Sequence, residues 1–399
     1  MSNLKLGMYC HPDAVADSPD FAKRLVGEAG VDHFILRSGY DTTTAYPDSL
    51  GKACQAVRDA NASLSFMSGS FWGGTPPVDL GLPYKSNESS SPMVMPGPST
   101  DEALVVKYQN LCKTFQPDSI CVTHGRYRHP AFIDGIFDEG VTDAEYQKRM
   151  TDAGIPRSEM QTVRAAWEKA MGSLDKEALL RDSKKGLIEF LCDLSESDAL
   201  KRLIAFRCDT LHSSLMKYRK VVKDNGVSFG ANGYTPWGAL LCGQDYEKSY
   251  AETCDFLQPL LCYMDWHRYM PLAAWCYYIR QFVSVDEKTA IEAAKSLFGL
   301  DGVVCEDSIQ GLDNCLEGST EAIYSFLTKE IQMCAPYLSK PYLFQPVLRG
   351  KDWDWAMTDK VVAEARALGI DSFVFMGCEY LMKEPPPVVK GANPFVGWN

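Results

Sequence analysis

The chain of 399 residues is 46% hydrophobic and 23% charged, a globular balance that excludes disorder and supplies a core needing no disulfide or metal to hold it. Its formal net charge of −12, with no dense Lys/Arg run, argues against a nucleic-acid partner, because a phosphate backbone repels such a surface. No stretch reaches the roughly 20 apolar residues of a membrane helix, and the 14 cysteines, without a Cys-x-x-Cys pair, read as buried free thiols of a reducing compartment.

The start, Met-Ser-Asn-Leu-Lys-Leu-Gly, passes at once into an apolar run without a signal-peptide core, so a cytoplasmic protein is expected. Eight such runs follow one another, each ending in polar, aromatic or glycine residues. The first, 6–13, ends Cys-His-Pro-Asp and precedes an amphipathic pattern over 17–29; the second, 34–41, ends Arg-Ser-Gly-Tyr-Asp and leads to a helix over 48–60. The third, 64–74, ends Phe-Trp-Gly-Gly and opens a Pro-, Ser- and Gly-rich loop over 75–99, followed by a helix over 101–116. The fourth, 120–130, carries His-Gly-Arg-Tyr-Arg-His. After it comes the largest insertion, 130–200, whose charged helical patterns at 143–150, 157–171 and 176–192 predict a subdomain over the catalytic face.

In the stretch 203–223, Leu-Ile-Ala-Phe-Arg-Cys-Asp could pass for a strand ending in a catalytic Asp209. However, Ile204, Cys208, Leu211, Leu215, Tyr218 and Val222 recur at spacings of three and four, one face of a helix that Asn225-Gly226 stops. The fifth run is 227–234 and the sixth 256–267; helices over 288–298 and 320–334 precede the seventh, 342–350, and a helix over 356–368 precedes the eighth, 372–380. Short buried strands with polar C-terminal ends, alternating with helices, predict one (β/α)8 TIM-barrel domain over 1–399, with the active site at those ends.

The strand ends offer carboxylates in Asp13, Asp265 and Glu379 and imidazoles in His124 and His129, the candidate catalytic groups. Candidate substrate-binding groups are Arg37, Tyr40, Trp72, Arg126, Arg128, Asn232, Tyr263, Trp266, Gln345 and Arg349. Rings stack on the C–H faces of a sugar while Asp, Asn, Gln, Arg and His bond its hydroxyls. Cleaving a glycosidic bond needs one acid to protonate the leaving oxygen and one carboxylate as base or nucleophile. Asp265 and Glu379 would lie roughly 10 Å apart on next-but-one strands, and Asp13 could meet Glu379 instead. No His-Glu-x-x-His spacing and no Gly-rich phosphate loop appears, so neither a metal nor a nucleotide cofactor is expected.

Phe206-Arg207-Cys208-Asp209 with its helix, Gly243-Gln244-Asp245-Tyr246, and the stretch 254–263 resemble a class of bacterial glycoside-hydrolase-like (β/α)8-barrel proteins in which an Ala-Asp-Phe-x-x-Pro-Met-x-Tyr strand precedes an active-site loop. Gln345-Pro346 and the final stretch 369–380 follow in the same order. The resemblance covers about 200–380 and implies a carbohydrate-active barrel with Tyr263 and Asp265 near the site. The chain departs from better-known glycosidases: His124-Gly125-Arg126 stands where an Asn-Glu pair would end strand four, and strand seven ends Leu348-Arg349-Gly350 without a carboxylate.

The leading expectation is therefore a glycoside hydrolase with a carbohydrate substrate. An acidic-sugar hydrolase (sialidase- or uronidase-like), a metal-dependent sugar isomerase or aldolase, and a non-catalytic glycan-binding barrel are the alternatives. Homo-oligomerisation stays open.

Overall fold

The computed structural model describes residues 5–38, 46–69, 96–127, 133–137, 144–262, 269–312, 320–349 and 355–376. Its strands are β1 (Lys5–Cys10), β2 (Val31–Arg37), β3 (Ser63–Gly69), β4 (Ser119–Thr123), β5 (Ser228–Gly233), β6 (Phe256–Pro259), β7 (Leu343–Phe344), β8 (Val347–Arg349) and β9 (Ser372–Met376). All pair in parallel, in the order β7-β6-β5-β4-β3-β2-β1-β9-β8. The fold is the expected TIM-barrel type.

One expectation needs correcting. The seventh run is not one strand but two short ones, broken at Gln345-Pro346. Proline has no N–H to give a ladder and interrupts pairing. Before it, β7 pairs with β6; after it, β8 pairs with β9. A parallel bridge between Leu260 and Val347, with Leu261 N–H donating to the Val347 carbonyl at 3.0 Å, ties the second half back to the β6 side. The 343–349 segment thus closes the ring.

The wall of the barrel separates two apolar clusters. Leu6, Met8, Phe34, Leu36, Leu64, Phe66, Ile120, Val122, Phe229, Leu257, Phe373 and Phe375 join the large core shared with the helices. Tyr9, Ile35, Met67, Val347 and Val374 face the other way and form a small interior cluster with Cys262. This alternation is the period of two that a strand imposes. Each fully buried aliphatic or aromatic side chain contributes about 1.5–3 kcal/mol.

The helices are α1 (Pro12–Asp17), α2 (Pro19–Ala29), α3 (Asp48–Asp59), α4 (Pro98–Phe115), α5 (Ile133–Ile136), α6 (Ala144–Asp152), α7 (Arg157–Met171), α8 (Lys176–Ser183), α9 (Leu187–Ser195), α10 (Ala199–Asp224), α11 (Ser249–Thr253), α12 (Met270–Phe282), α13 (Glu287–Leu297), α14 (Thr320–Cys334) and α15 (Trp355–Ala367). The helix expected over 176–192 is two, because the chain turns at Gly186 with φ 84°, a left-handed backbone that glycine adopts without strain. The choice of helix for 203–223 is confirmed: Ile204, Cys208, Leu211, Leu215, Tyr218 and Val222 are all buried along α10 while Asp209 is exposed. Gly226, at φ 75°, follows its end. Among the described residues, no helix is long and apolar enough to cross a membrane.

Two strand glycines are required by close approach inside the barrel. A Cβ on Gly7 would lie 2.1 Å from the His33 ring, and one on Gly230 would lie 2.4 Å from the Phe256 ring. Gly230→Ala should therefore destabilise the protein by about 1–3 kcal/mol through overpacking. Urea denaturation checks this, and Gly27→Ala, whose Cβ would meet nothing within 4 Å, serves as the control expected not to destabilise.

Candidate active site

The C-terminal ends of the strands form the mouth where this fold places its chemistry. The best-defined part is the turn after β4. His124 leaves the strand in a left-handed conformation, φ 54°, sparsely populated by non-glycine residues and costing of order 1–3 kcal/mol. The Arg126 N–H closes the turn on the His124 carbonyl at 2.9 Å. Arg126 itself is 6% exposed; its Nη1 donates to the Tyr127 carbonyl at 3.0 Å, and its guanidinium lies 5.8 Å from the Tyr234 ring centre.

His124 is a strongly perturbed titratable group of this mouth. Its Nδ1 is shut off from solvent. Burial first, then the nearby charges of Arg126 and Arg37, pushes its pKa down to about 3. The imidazole is neutral at any physiological pH. Arg37, at the end of β2, and Arg126, after β4, are both near enough for their charges to act on this ring.

The Gly243-Gln244-Asp245-Tyr246 stretch holds this turn in place. Gln244 Nε2 donates to the Gly125 carbonyl at 2.9 Å, while its Oε1 accepts from the Tyr234 N–H at 2.5 Å. One side chain thereby clamps the loops after β4 and β5. Gly243 has φ 76°, and a Cβ there would come within 2.8 Å of the Tyr127 ring. Asp245 Oδ1 accepts from the Glu247 and Lys248 N–H groups at 2.9 and 3.0 Å, and the Tyr246 hydroxyl donates to the Tyr234 carbonyl. From behind, the fully buried Arg207 of α10 lies 5.3 Å from the Tyr127 ring centre and donates to the Leu241 and Gly135 carbonyls at 2.9 and 2.7 Å. Two of the motifs that carried the resemblance, 206–209 and 243–246, thus scaffold this turn.

Asp13 lies in the first turn of α1, just past β1, exposed and 3.3 Å from His11 Nδ1. Arg349 ends β8. Asn232 and Gln345 are buried inside the barrel, at 2% and 6% exposure. Asp265, Glu379, His129, Tyr40, Trp72, Arg128, Tyr263 and Trp266 lie outside the described residues. Among the described residues, no group of three His, Cys, Asp or Glu side chains is arranged to hold a metal ion.

Sequence reasoning passed over a set of buried polar side chains. Tyr9, Cys121, Gln258 and Ser372 all face the barrel interior and bond to one another or to the candidates Asn232 and Gln345. The signal was present: each is a polar or thiol side chain at the inward phase of an otherwise apolar strand.

No family model matches the sequence, and no curated protein matches it in sequence. In three dimensions the chain is similar to the glycoside hydrolase domain of PgaB (BpsB) from Bordetella bronchiseptica, with 11% identity, 96% of each chain covered and a TM-score of 0.58. What the two share is the fold, a (β/α)8-type barrel. A GH18 chitinase from Pseudoalteromonas aurantia also aligns, with 9% identity over 97% of each chain, but at a TM-score of 0.42 it adds nothing to that statement.

Two measurements test the mouth. With a folded-state pKa of about 3 against an ordinary 6.5, His124 refuses a proton that the unfolded chain accepts. Its neutral burial is therefore compatible with full stability above pH 6.5, and stability falls as pH drops from 6.5 towards 3. His124→Asn, which tolerates the left-handed backbone, should flatten that slope in urea unfolding between pH 7 and 4.5; parallel slopes for the two proteins would refute the assignment. Gln244→Leu, leaving buried carbonyl and N–H groups without partners, should cost about 1–3 kcal/mol per group in the same assay.

Proposed function

We propose that the protein hydrolyses a glycosidic bond at the C-terminal mouth of its barrel. The observation that carries this reading is the turn after β4: a neutral, partly exposed His124 held in a strained backbone under the charges of Arg126 and Arg37, beside strand ends that lead into carboxylates. Strain and a strongly shifted pKa concentrate where proteins do chemistry. The full-length likeness to a glycoside hydrolase domain supports the same reading at the level of fold.

In this proposal Asp265, after β6, and Glu379, after β9, form the catalytic pair; their strands are separated in the ring only by the 343–349 segment. One protonates the glycosidic oxygen as the bond to the anomeric carbon breaks. The other, ionised, either takes a proton from the attacking water or attacks the anomeric carbon itself. Asp13, at the adjacent end of β1, is the alternative partner of Glu379. Arg37 and Arg126 supply positive potential that favours an ionised carboxylate nearby, and neutral His124 offers a hydrogen bond without adding charge. Tyr263, Trp266 and Trp72 would stack on the sugar, with Tyr40, Arg128 and Arg349 at its rim and His129 as a further proton carrier.

The two arginines that act on His124 favour one refinement: a substrate sugar bearing a carboxylate, which guanidinium groups bind bidentately. Arg126→Ala would then reduce turnover of a uronide or sialoside far more than of a neutral glycoside, and equal losses would discard the refinement.

The main reading predicts that Asp265→Asn and Glu379→Gln each lower release of 4-nitrophenol from a panel of aryl glycosides by about 10²–10⁴-fold while the far-UV circular dichroism stays native. Undiminished turnover in both variants removes this pair.

A further inference from the structure

The end of the barrel opposite the mouth is built from small polar side chains. Ser65, Ser119 and Ser228 stand side by side on β3, β4 and β5, paired in register. Ser65 is also paired with Ile35, a member of the interior cluster, so this row points inward. Barrels of this type fill such rows mostly with bulky branched residues. Serines leave the row open, and a cavity of about 480 Å³ results. That volume lies within the roughly 300–1,000 Å³ of small-molecule sites. Asp32, Ser63 and Asp118 line it and are exposed, so it opens to solvent at the N-terminal ends of the strands.

Gln258 and Gln345 stand at the inner end of this cavity and separate it from the mouth. Gln258 Nε2 donates to Gln345 Oε1 at 3.2 Å, while Gln258 Oε1 accepts from the Tyr9 hydroxyl, near the far end of β1, at 2.7 Å. The lining has hydrogen-bonding capacity to spare. Ser65 Oγ and Ser119 Oγ lie 2.6 Å apart; one donates to the other, which leaves the pair one O–H donor and further lone pairs. Asp118 uses Oδ2 on the Leu64 N–H at 2.7 Å, and Asp32 uses Oδ1 on His33 Nδ1 at 2.6 Å, so the second oxygen of each can accept. Asp255 is balanced by Lys223 Nζ at 2.6 Å. Carboxylates disfavour an anion here, and among the described residues no three such side chains are arranged to hold a metal. The Phe256 ring, packed over Gly230, adds an apolar surface.

We propose that this cavity is a second binding site, at the N-terminal end of the barrel, for a small neutral molecule rich in hydroxyls, a polyol or monosaccharide. Each hydroxyl of such a ligand donates and accepts at once. It can donate to the carboxylates of Asp32 and Asp118 and accept from the serine hydroxyls, while its C–H surface meets the Phe256 ring. The site is separate from the mouth and does not depend on the glycoside reading.

Isothermal titration of the intact protein with glucose, sorbitol and myo-inositol tests this, because none of the three carries a glycosidic bond for the mouth to cleave. Ser119→Leu, which fills the cavity and removes a hydroxyl, should weaken binding of the best ligand about tenfold or more. Ser228→Leu, on the neighbouring strand, should do the same, and serves alone if Ser119→Leu fails to fold. Arg126→Ala, at the mouth, should leave this binding unchanged. Wild-type protein that binds none of the three overturns the proposal. So does equal binding by the wild type and the leucine variants, which places the ligand elsewhere. Any turnover of aryl glycosides should survive both leucine variants; its loss in step with binding, in variants whose far-UV circular dichroism stays native, overturns a separate site. Polyol binding with the expected pattern but no turnover of any glycoside supports this site and removes the hydrolase reading instead.

Discussion

The 343–349 segment must hydrogen-bond first to one neighbour and then to the other. Its first residues pair with β6, its last with β9, and Pro346 between them withholds the N–H that a continuous strand would use. The Pro346 carbonyl still accepts from the Val374 N–H at 3.1 Å, and Leu261 reaches the Val347 carbonyl. Without this change of partner the sheet would keep two open edges, and the ends of β6 and β9 would not be held near each other. The proposed catalytic pair follows those two strands, so the site depends on a closure made by a few short pairings. Gln345 adds a side-chain brace at the same place, joining Gln258 to Ser372 across the interior.

Inside the ring the layers are unequal. One side is apolar, built from Ile35, Met67, Val347 and Val374; the other is amide and hydroxyl, built from Asn232, Gln258 and Gln345 and meeting at the Tyr9 hydroxyl. A polar interior is tolerated because nearly every group in it has a partner. Burial holds the Tyr9 phenol far above its usual range, so it stays a neutral donor and acceptor. The same logic governs the mouth, where burial and two arginines keep His124 uncharged. Both groups keep hydrogen-bonding capacity without charge.

Much of the architecture could be read from the linear chain. Each of the eight apolar runs contains a strand or, in one case, two, and α7 and α14 coincide with the expected helical patterns. The face of α10 was legible because six apolar residues repeat at helical spacing, and that periodicity outweighed the strand-like Leu-Ile-Ala-Phe stretch. The turn after β4 was legible as a dense His/Arg cluster. Its mechanics were not: no local pattern reveals that Gln244, far along the chain, would clamp Gly125, or that Arg207 would sit behind Tyr127.

Hydrophobic periodicity and chain order were sufficient to specify the alternation of strands and helices and the barrel class, though not every break within them, because these follow from local spacing and from burying one face of each element. Which inward-facing groups meet depended on ring closure. Asn232 and Tyr9 are on strands that are not neighbours in the sheet, and their contact exists only once the ring has curled round. The Asn232 amide likewise comes within 3.4 Å of a main-chain carbonyl of β6. Such a constraint arises from through-space geometry, and residue spacing carries no record of it.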